Sequence, residues 1–190
     1  MRIAVFDDMN LCTPAEVERM LPLVSAQRRE QALRYKHTLG QFCCLKSWLM
    51  LKELIGEVGE FVYNEHGKPF LPGGPNFSIS HCKEGIAVAV DDKPIGIDIE
   101  AIRHADKSLI ERVMNNEERR QIASAKANAD ALFSRLWTRK EAVLKMEGTG
   151  IESFEQLQHV LSSSRDHGIT SPRIETFENE KYIYSIAYGK

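Results

Sequence analysis

The spacing of apolar residues along the chain changes from strand-like to helical and back more than once. Residues 2–6 (RIAVF) predict a short strand. A capping-box start at Thr13 predicts a short helix to about residue 24, and Ser25 can cap a second, long helix that ends near Gly56. The middle of the chain then alternates with the two-residue period of strands. These predicted strands are EFVYNE, NFSISH, GIAVAV and PIGIDIE, at 60–65, 76–81, 85–90 and 94–100.

Helical spacing returns in the second half of the chain. Segments 106–126 and 129–147 predict helices, and Gly148 is a glycine stop for the second of them. The last part of the chain predicts a short helix at 153–161 and a polar loop at 162–172. Two strands follow, at 172–178 and 181–189. This order predicts an α+β fold. Because each half has a long helix followed by strands, a pseudo-duplicated architecture is expected.

Composition and charge narrow the class of protein. Of the 190 residues, 43% are hydrophobic and 27% are charged, which fits one large globular domain or two small ones. The net charge of −2 gives no overall attraction to nucleic acid or to an anionic membrane. No stretch approaches the roughly 18 apolar residues of a membrane span, and MRIAVFDDMN lacks the apolar core of a secretory signal. We therefore expect a cytoplasmic protein that binds neither nucleic acid nor membrane.

The cysteines give no sign of a metal site or of a disulfide framework. Cys12, Cys43, Cys44 and Cys82 have no CxxC spacing. Adjacent residues on a helix project about 100° apart, so Cys43 and Cys44 would point in different directions. We expect four reduced and mostly buried thiols.

The segment FSRLWTRKEAVLK, residues 133–145, predicts an amphipathic helix with a lysine on its apolar face. Its large apolar residues share one stripe, and Lys140 lies in the middle of that stripe. Glu141 and Lys145 lie together along the flank as an i, i+4 pair. Lys140 must either extend to solvent or find a buried carboxylate. A surface ion pair would explain Glu141 and Lys145 but not Lys140, so we favour a functional role for this helix.

The segment PIGIDIE places two carboxylates on one face of a strand. Ile95, Ile97 and Ile99 alternate with Asp98 and Glu100. Carboxylates two residues apart on a strand stand roughly 7 Å apart, and a divalent cation would relieve their repulsion in a half-buried site. Oxygen ligands favour the hard ions Mg²⁺, Mn²⁺ and Ca²⁺. The alternative is a solvated polar face on an edge strand.

Other residues could complete such a site. Glu141 could supply a third oxygen ligand, and Lys145 could meet a phosphate on the same metal. Ser80 and His81 could donate to phosphate oxygens, although a histidine at a strand end can equally be structural. The segment Gly67-Lys68-Pro69 is a turn with a positive charge and lacks the GxxxxGK[ST] pattern of a P-loop. Together these residues indicate a magnesium-phosphate site.

The motifs GKP, NFSISH, PIGIDIE and FSRLWTRKEAVLK, in this order over residues 67–145, resemble those of the 4′-phosphopantetheinyl transferases that serve surfactin synthetase. The resemblance implies transfer of the phosphopantetheine arm of coenzyme A to a serine of an apo acyl carrier protein or peptidyl carrier domain. The other product would be 3′,5′-ADP, and the reaction would need Mg²⁺, with Mn²⁺ as a second candidate. It also implies a monomer of two similar halves, each with a long helix on a small, mainly antiparallel sheet.

The resemblance further implies a role for each matching residue. The implied magnesium ligands are Asp98, Glu100 and Glu141. Glu141 would also help to deprotonate the serine. The implied phosphate contacts are His81 and Lys145, with Ser80 nearby. Lys68 and Pro69, together with Gly67, match the segment that lines the nucleotide end of the site.

The resemblance also divides the chain. Residues 1–95 would form the nucleotide side and residues 96–190 the side of the metal ligands, with coenzyme A between them. Cys43 stands where the family often has an arginine for the 3′-phosphate of coenzyme A. Candidate substitutes are Arg28, Arg34, Lys36 and Lys46. Lys140 matches the family lysine beside the catalytic glutamate, which would place it at the junction between the halves.

Basic residues just after PIGIDIE could bind the carrier protein. Carriers of this kind present an acidic helix beside the target serine, so Arg103, Lys107 and Arg112 are candidate docking residues; the alternative is an ordinary solvated helix face.

Two other functions are compatible with these motifs. The first is a magnesium-dependent nucleotide phosphohydrolase, which would use water in place of the serine. A non-catalytic module would bind coenzyme A or a carrier without turnover.

Overall fold

A computed structural model of the protein describes residues 1–161 and 172–189. The first part of the chain contains β1 (Arg2–Phe6), α1 (Pro14–Met20), α2 (Ala26–Leu33), α3 (Thr38–Ile55), β2 (Val62–Tyr63), β3 (Pro69–Phe70), β4 (Asn76–Cys82) and β5 (Gly85–Asp91). The second contains β6 (Ile95–Ala101), α4 (Lys107–Val113), α5 (Asn116–Ser124), α6 (Ala129–Glu147), α7 (Phe154–His159), β7 (Arg173–Glu178) and β8 (Tyr182–Tyr188). The α+β prediction is confirmed. The polar loop predicted at 162–172 lies outside the described residues except for its last position.

The prediction of one long helix from Ser25 to Gly56 is wrong, because the chain forms α2 and α3 instead. Ser25 does cap α2, with its Oγ accepting from Arg28 N–H at 3.2 Å. The chain turns between the two helices, where Tyr35 N–H donates to Ala32 O and the Tyr35 ring lies against Gly40. A Cβ on Gly40 would lie 2.7 Å from Tyr35 Cδ1, so this close turn depends on the glycine.

The helix predicted over 106–126 is also two helices, α4 and α5. Asn115 Oδ1 accepts from Glu118 N–H, and the Glu118 carboxylate accepts from Asn115 N–H. This capping box starts a new helix, and the extended backbone at Met114 ends α4. The helix predicted at 129–147 is confirmed as α6, which ends at Gly148 with a φ of +79°.

Two three-stranded antiparallel sheets form the centre of the molecule, in the orders β1-β5-β4 and β6-β8-β7. In both sheets the strand that comes last in the chain lies in the middle. Helix α3 packs on the first sheet and α6 on the second, each over its own apolar cluster. A third cluster lies between the sheets, with Ile95, Ile97 and Ile99 facing Ala87 and Ala89.

Helix α6 lies directly against the backbone of β6. A Cβ on Gly96 would lie 1.9 Å from Ala142 O and 2.4 Å from Met146 N, so only glycine allows this approach. Gly96 shares its strand face with Asp98 and Glu100. The close approach therefore brings these two carboxylates beside the flank of α6.

None of the helices in the described part of the chain could span a lipid bilayer. Of the four cysteines, all free thiols, Cys43 and Cys44 are buried, while Cys12 and Cys82 are partly exposed.

Candidate active site

A hydrogen-bonded network joins β4, β6 and α6 where the two sheets meet. Lys145 Nζ lies 2.6 Å from Asp98 Oδ1 and 2.9 Å from Ser80 Oγ. Ser80 Oγ in turn donates to Asp98 Oδ1 at 2.8 Å, and Ser78 Oγ accepts from Ile97 N–H at 3.0 Å. Asp98 is 3% exposed, which rules out the alternative of a solvated polar strand face for this residue.

The three predicted metal ligands influence one another electrostatically. Burial, followed by the negative charge of Asp98, raises the pKa of Glu141 to about 7, while Lys145 opposes the shift. Burial and Asp98 also raise the pKa of Glu100. These carboxylates are therefore close enough to disfavour each other's ionised form.

The chemistry of this carboxylate set fits a divalent cation. Asp98 Oδ2 is buried and has no hydrogen-bond partner in the described part of the chain, so it is free to ligate an ion. Within that part, no three His, Cys, Asp or Glu side chains are grouped tightly enough to share one ion as they stand. In the structure as it stands, the Lys145 ammonium pairs with Asp98 Oδ1 and is the positive charge beside these carboxylates.

The raised pKa of Glu141 predicts how stability changes with pH. Between pH 4.5 and about 7 the folded protein keeps a proton that the unfolded chain releases, so the free energy of unfolding should fall as pH rises through this window. We expect wild type to lose about 2 kcal/mol more than Glu141→Gln between pH 5 and pH 7.5. Urea unfolding of both proteins without divalent cations would measure this, and equal losses would contradict it.

A cavity of about 380 Å³ opens beside the network. It is lined by residues 66–69, 77–79, 144–145 and 150–151, with Glu141 and Gly148. The β2–β3 hairpin thus forms one wall and α6 another. The predicted residues Lys68, Pro69, Glu141 and Lys145 all line this one cavity, although they lie up to 77 positions apart in the chain.

Lys68 and His81 occupy different surroundings. Lys68 Nζ donates to Met146 O at 3.2 Å, near the C-terminus of α6, and burial lowers its pKa. His81 is exposed near the end of β4 and is not among the described residues that line the cavity. Partial burial of the imidazole and the charge of Lys145 lower the pKa of His81. Its role as a phosphate contact stays a prediction.

Arg28 is held by other protein groups. It is 7% exposed, its Nε donates to Cys44 O at 2.9 Å, and its other nitrogens donate to Gln31 Oε1 and Ser47 Oγ. The guanidinium also lies 5.0 Å from the centre of the Phe61 ring. These contacts make Arg28 a buried structural residue that joins α2 to α3, and its predicted contact with the 3′-phosphate is untested.

The expectation that Lys140 lies at the junction between the halves is wrong. Lys140 is fully buried inside the second part of the chain, where Nζ donates to Glu118 Oε2 at 2.6 Å and to Val113 O at 2.9 Å. Burial lowers the pKa of this lysine, and Glu118 counteracts the shift. The buried carboxylate partner that the sequence required is therefore Glu118 of α5.

Sequence reasoning missed two residues of the site. Ser78 lines the cavity and binds the β6 backbone; its place beside Ser80 on the same strand face was the available signal. Asn64 donates to Gly148 O at 2.8 Å and so connects the hairpin to α6. The sequence pattern places Asn64 in the predicted strand EFVYNE and gives no sign of this long-range contact.

Comparison with known proteins agrees with these motifs. A family model described as the 4′-phosphopantetheinyl transferase superfamily matches residues 94–187. The 4′-phosphopantetheinyl transferase psf-1 of Bacillus pumilus is 30% identical over 161 residues, which are 80% of this chain and 68% of that protein. The chain belongs to the 4′-phosphopantetheinyl transferase superfamily.

Other members of the superfamily match over shorter stretches. The transferase ffp of Bacillus subtilis is 32% identical over 146 residues, 72% of this chain and 65% of that protein. The transferase AcpT of Salmonella typhimurium is 38% identical over 112 residues, 54% of this chain and 58% of that protein. The matched regions thus span about two thirds of the length of the Bacillus relatives.

Proposed function

We propose that this protein transfers the 4′-phosphopantetheine arm of coenzyme A to a serine of an apo acyl carrier protein or peptidyl carrier domain. The observation that carries the proposal is the Asp98–Ser80–Lys145 network, which adjoins Glu141 at the cavity. The cavity is mainly apolar, with the Lys145 ammonium and the Glu141 carboxylate in its lining. Such a cavity suits a ligand that combines a flat ring with phosphates.

The pKa of Glu141 suits it to accept the proton of the serine hydroxyl. In the cation-free protein this pKa is about 7, so a large fraction of the carboxylate is ionised at neutral pH and still basic. As the proton moves to Glu141, the serine oxygen forms a bond to the β-phosphorus, and the bond from that phosphorus to 3′,5′-ADP breaks. Lys145 holds positive charge beside the phosphates as this happens.

Asp98, Glu100 and Glu141 would hold a divalent cation, which we propose to be magnesium or, second, manganese. When bound, the cation would neutralise charge on the pyrophosphate oxygens. Two features support this assignment: the unpartnered Oδ2 of Asp98 and the raised pKa values of Glu100 and Glu141. A buried oxygen without a partner and ionised carboxylates close together are each unfavourable unless a positive charge besides Lys145 is present.

The strand orders support a duplicated architecture with halves near 1–95 and 96–190. Both sheets place the last of their three strands in the middle, and each carries one long helix. We propose that coenzyme A binds between the halves, because the cavity is lined by residues from both. One chain then forms the whole site, so a monomer is sufficient.

Intact mass spectrometry of a carrier protein would test the function. The protein is incubated with coenzyme A, Mg²⁺ and an apo acyl carrier protein, and we expect the carrier to gain the mass of one phosphopantetheine arm. Cleavage of coenzyme A without a carrier would favour the phosphohydrolase. Binding of coenzyme A with no modification of several different carriers would favour the non-catalytic module.

We also predict that an exposed basic surface on and before α4 binds the carrier. Arg103, Lys107 and Arg112 are exposed there, and the Arg112 guanidinium lies 4.0 Å from the centre of the Phe154 ring, which is 45% exposed. Reversing Arg103 and Arg112 to glutamate should raise the KM for the carrier about tenfold, because complementary charge is lost at the rim of the complex. Affinity for coenzyme A should not change.

Lys52→Glu combined with Lys93→Glu is the matched control, since both lysines are exposed on the first half of the chain. It makes the same change in net charge away from the proposed surface. An equal rise in KM for both double variants would show that the effect comes from net charge and not from this surface. Unchanged carrier kinetics in the Arg103 and Arg112 variant would contradict the docking surface.

A further inference from the structure

A single asparagine connects the β2–β3 hairpin to the end of α6. Asn64 Nδ2 donates to Gly148 O at 2.8 Å, across 84 positions of sequence. Gly148 is the residue at which α6 ends. The bond therefore joins the wall of the cavity that carries Lys68 to the helix that carries Glu141 and Lys145.

The same side chain shapes the turn of the hairpin. Asn64 Oδ1 accepts from His66 N–H at 3.1 Å and from Lys68 N–H at 2.8 Å. The Asn64 backbone N–H donates to Lys68 O, and Gly67 N–H donates to Asn64 O. The amide oxygen of Asn64 thus accepts hydrogen bonds from the turn itself, while the amide nitrogen donates to the end of α6.

The hairpin and the helix end are in close contact at this point. A Cβ on Gly148 would lie 3.1 Å from Lys68 Cδ and 3.2 Å from Asn64 Nδ2. Lys68 adds a second bond, from Nζ to Met146 O at 3.2 Å. Both bonds use carbonyl groups that have no partner within the helix, and they fix how far apart the two walls of the cavity lie.

We propose that Asn64 is a positioning residue that holds the hairpin against α6 and so sets the shape of the coenzyme A site before the substrate binds. This inference rests on the proposed function. Without the bond, the hairpin must be ordered against the helix when coenzyme A enters, and binding becomes weaker by that cost. Glu141 and Lys145 are held by α6 itself, so the chemical step is much less affected.

Asn64→Asp isolates the bond to the helix. An aspartate keeps the acceptor for His66 and Lys68, but it cannot donate to Gly148 O and places an anion beside the negative end of the helix. We expect the KM for coenzyme A, and its Kd by calorimetry, to rise about tenfold. The kcat should stay within about twofold of wild type.

Asn179→Asp is the matched control. Asn179 Oδ1 accepts from Lys181 N–H and Tyr182 N–H in the β7–β8 turn, so the same change of charge is made in a similar turn away from the cavity. We expect this variant to bind coenzyme A like wild type. Melting curves of both variants would give a temperature at which each is fully folded, and kinetics are compared there.

Gly148→Ala perturbs the same contact from the helix side and is measured alongside. We expect a rise in the Kd for coenzyme A, because the added methyl group pushes against Lys68 and Asn64 and also strains the left-handed backbone at the end of α6. If Asn64→Asp and Asn179→Asp bind coenzyme A equally well while wild type transfers the arm normally, the inference is overturned. If wild type itself neither binds coenzyme A nor modifies a carrier, the proposed function fails instead.

Discussion

Glu141→Gln is expected to lower the rate of transfer at least 10³-fold, the range for loss of a general base that also contacts the charged centre of a reaction. Glutamine has nearly the same shape but cannot take up the serine proton, and it carries no negative charge for a cation. Coenzyme A should still bind, because the hairpin wall, Lys145 and the apolar lining of the cavity are unchanged. Intact mass of the carrier against time gives the rate.

Glu147→Gln is the matched control for this experiment. Glu147 lies six positions further along the same helix and is exposed, so its loss changes the net charge of α6 equally without touching the site. Its rate should be that of wild type. If Glu141→Gln retained more than about a tenth of the wild-type rate, the role of Glu141 as the proton acceptor would be wrong, because removing a general base costs more than this.

Lys140→Met is expected to lower the free energy of unfolding by about 3 to 5 kcal/mol, since it leaves the buried carboxylate of Glu118 without its cation. The side chains of Lys140 and Glu118 are 0% and 8% exposed, respectively. For a chain of this size the loss should lower the melting temperature by roughly 10 to 15 °C. Chemical denaturation gives the free energy, and differential scanning calorimetry gives the temperature.

Adding Glu118→Gln to Lys140→Met should recover much of this loss. Glutamine removes the unpaired charge but keeps an acceptor for Asn115 N–H, which bonds the Glu118 carboxylate at 2.8 Å. Lys107→Met is the control, because Lys107 is 90% exposed at the side chain and lies 3.7 Å from Glu111; exposed pairs contribute under about 1 kcal/mol. Equal losses for the two lysine variants would refute the buried pair.

The elements that carry the site were predictable where the local pattern was strong. The strand PIGIDIE alternates with a period of two, and the helix at 129–147 has a continuous stripe and a glycine stop, so both are found near their predicted bounds. The breaks in the two other long helices were not predicted. One depends on the packing of Tyr35 against Gly40, while the other could have been read from the N-x-x-E capping pattern at Asn115.

Residue types and short-range periodicity were enough to predict the candidate site, because they decide which groups share a strand or helix face. Asp98, Glu100, Glu141 and Lys145 follow from that reasoning alone. The contacts between distant groups became visible only in the folded chain: Lys140 with Glu118, Asn64 with the end of α6, and Asp98 with Ser80. Such contacts depend on how whole elements pack, here on a glycine at position 96 that lets α6 lie on β6, and no local pattern records that approach.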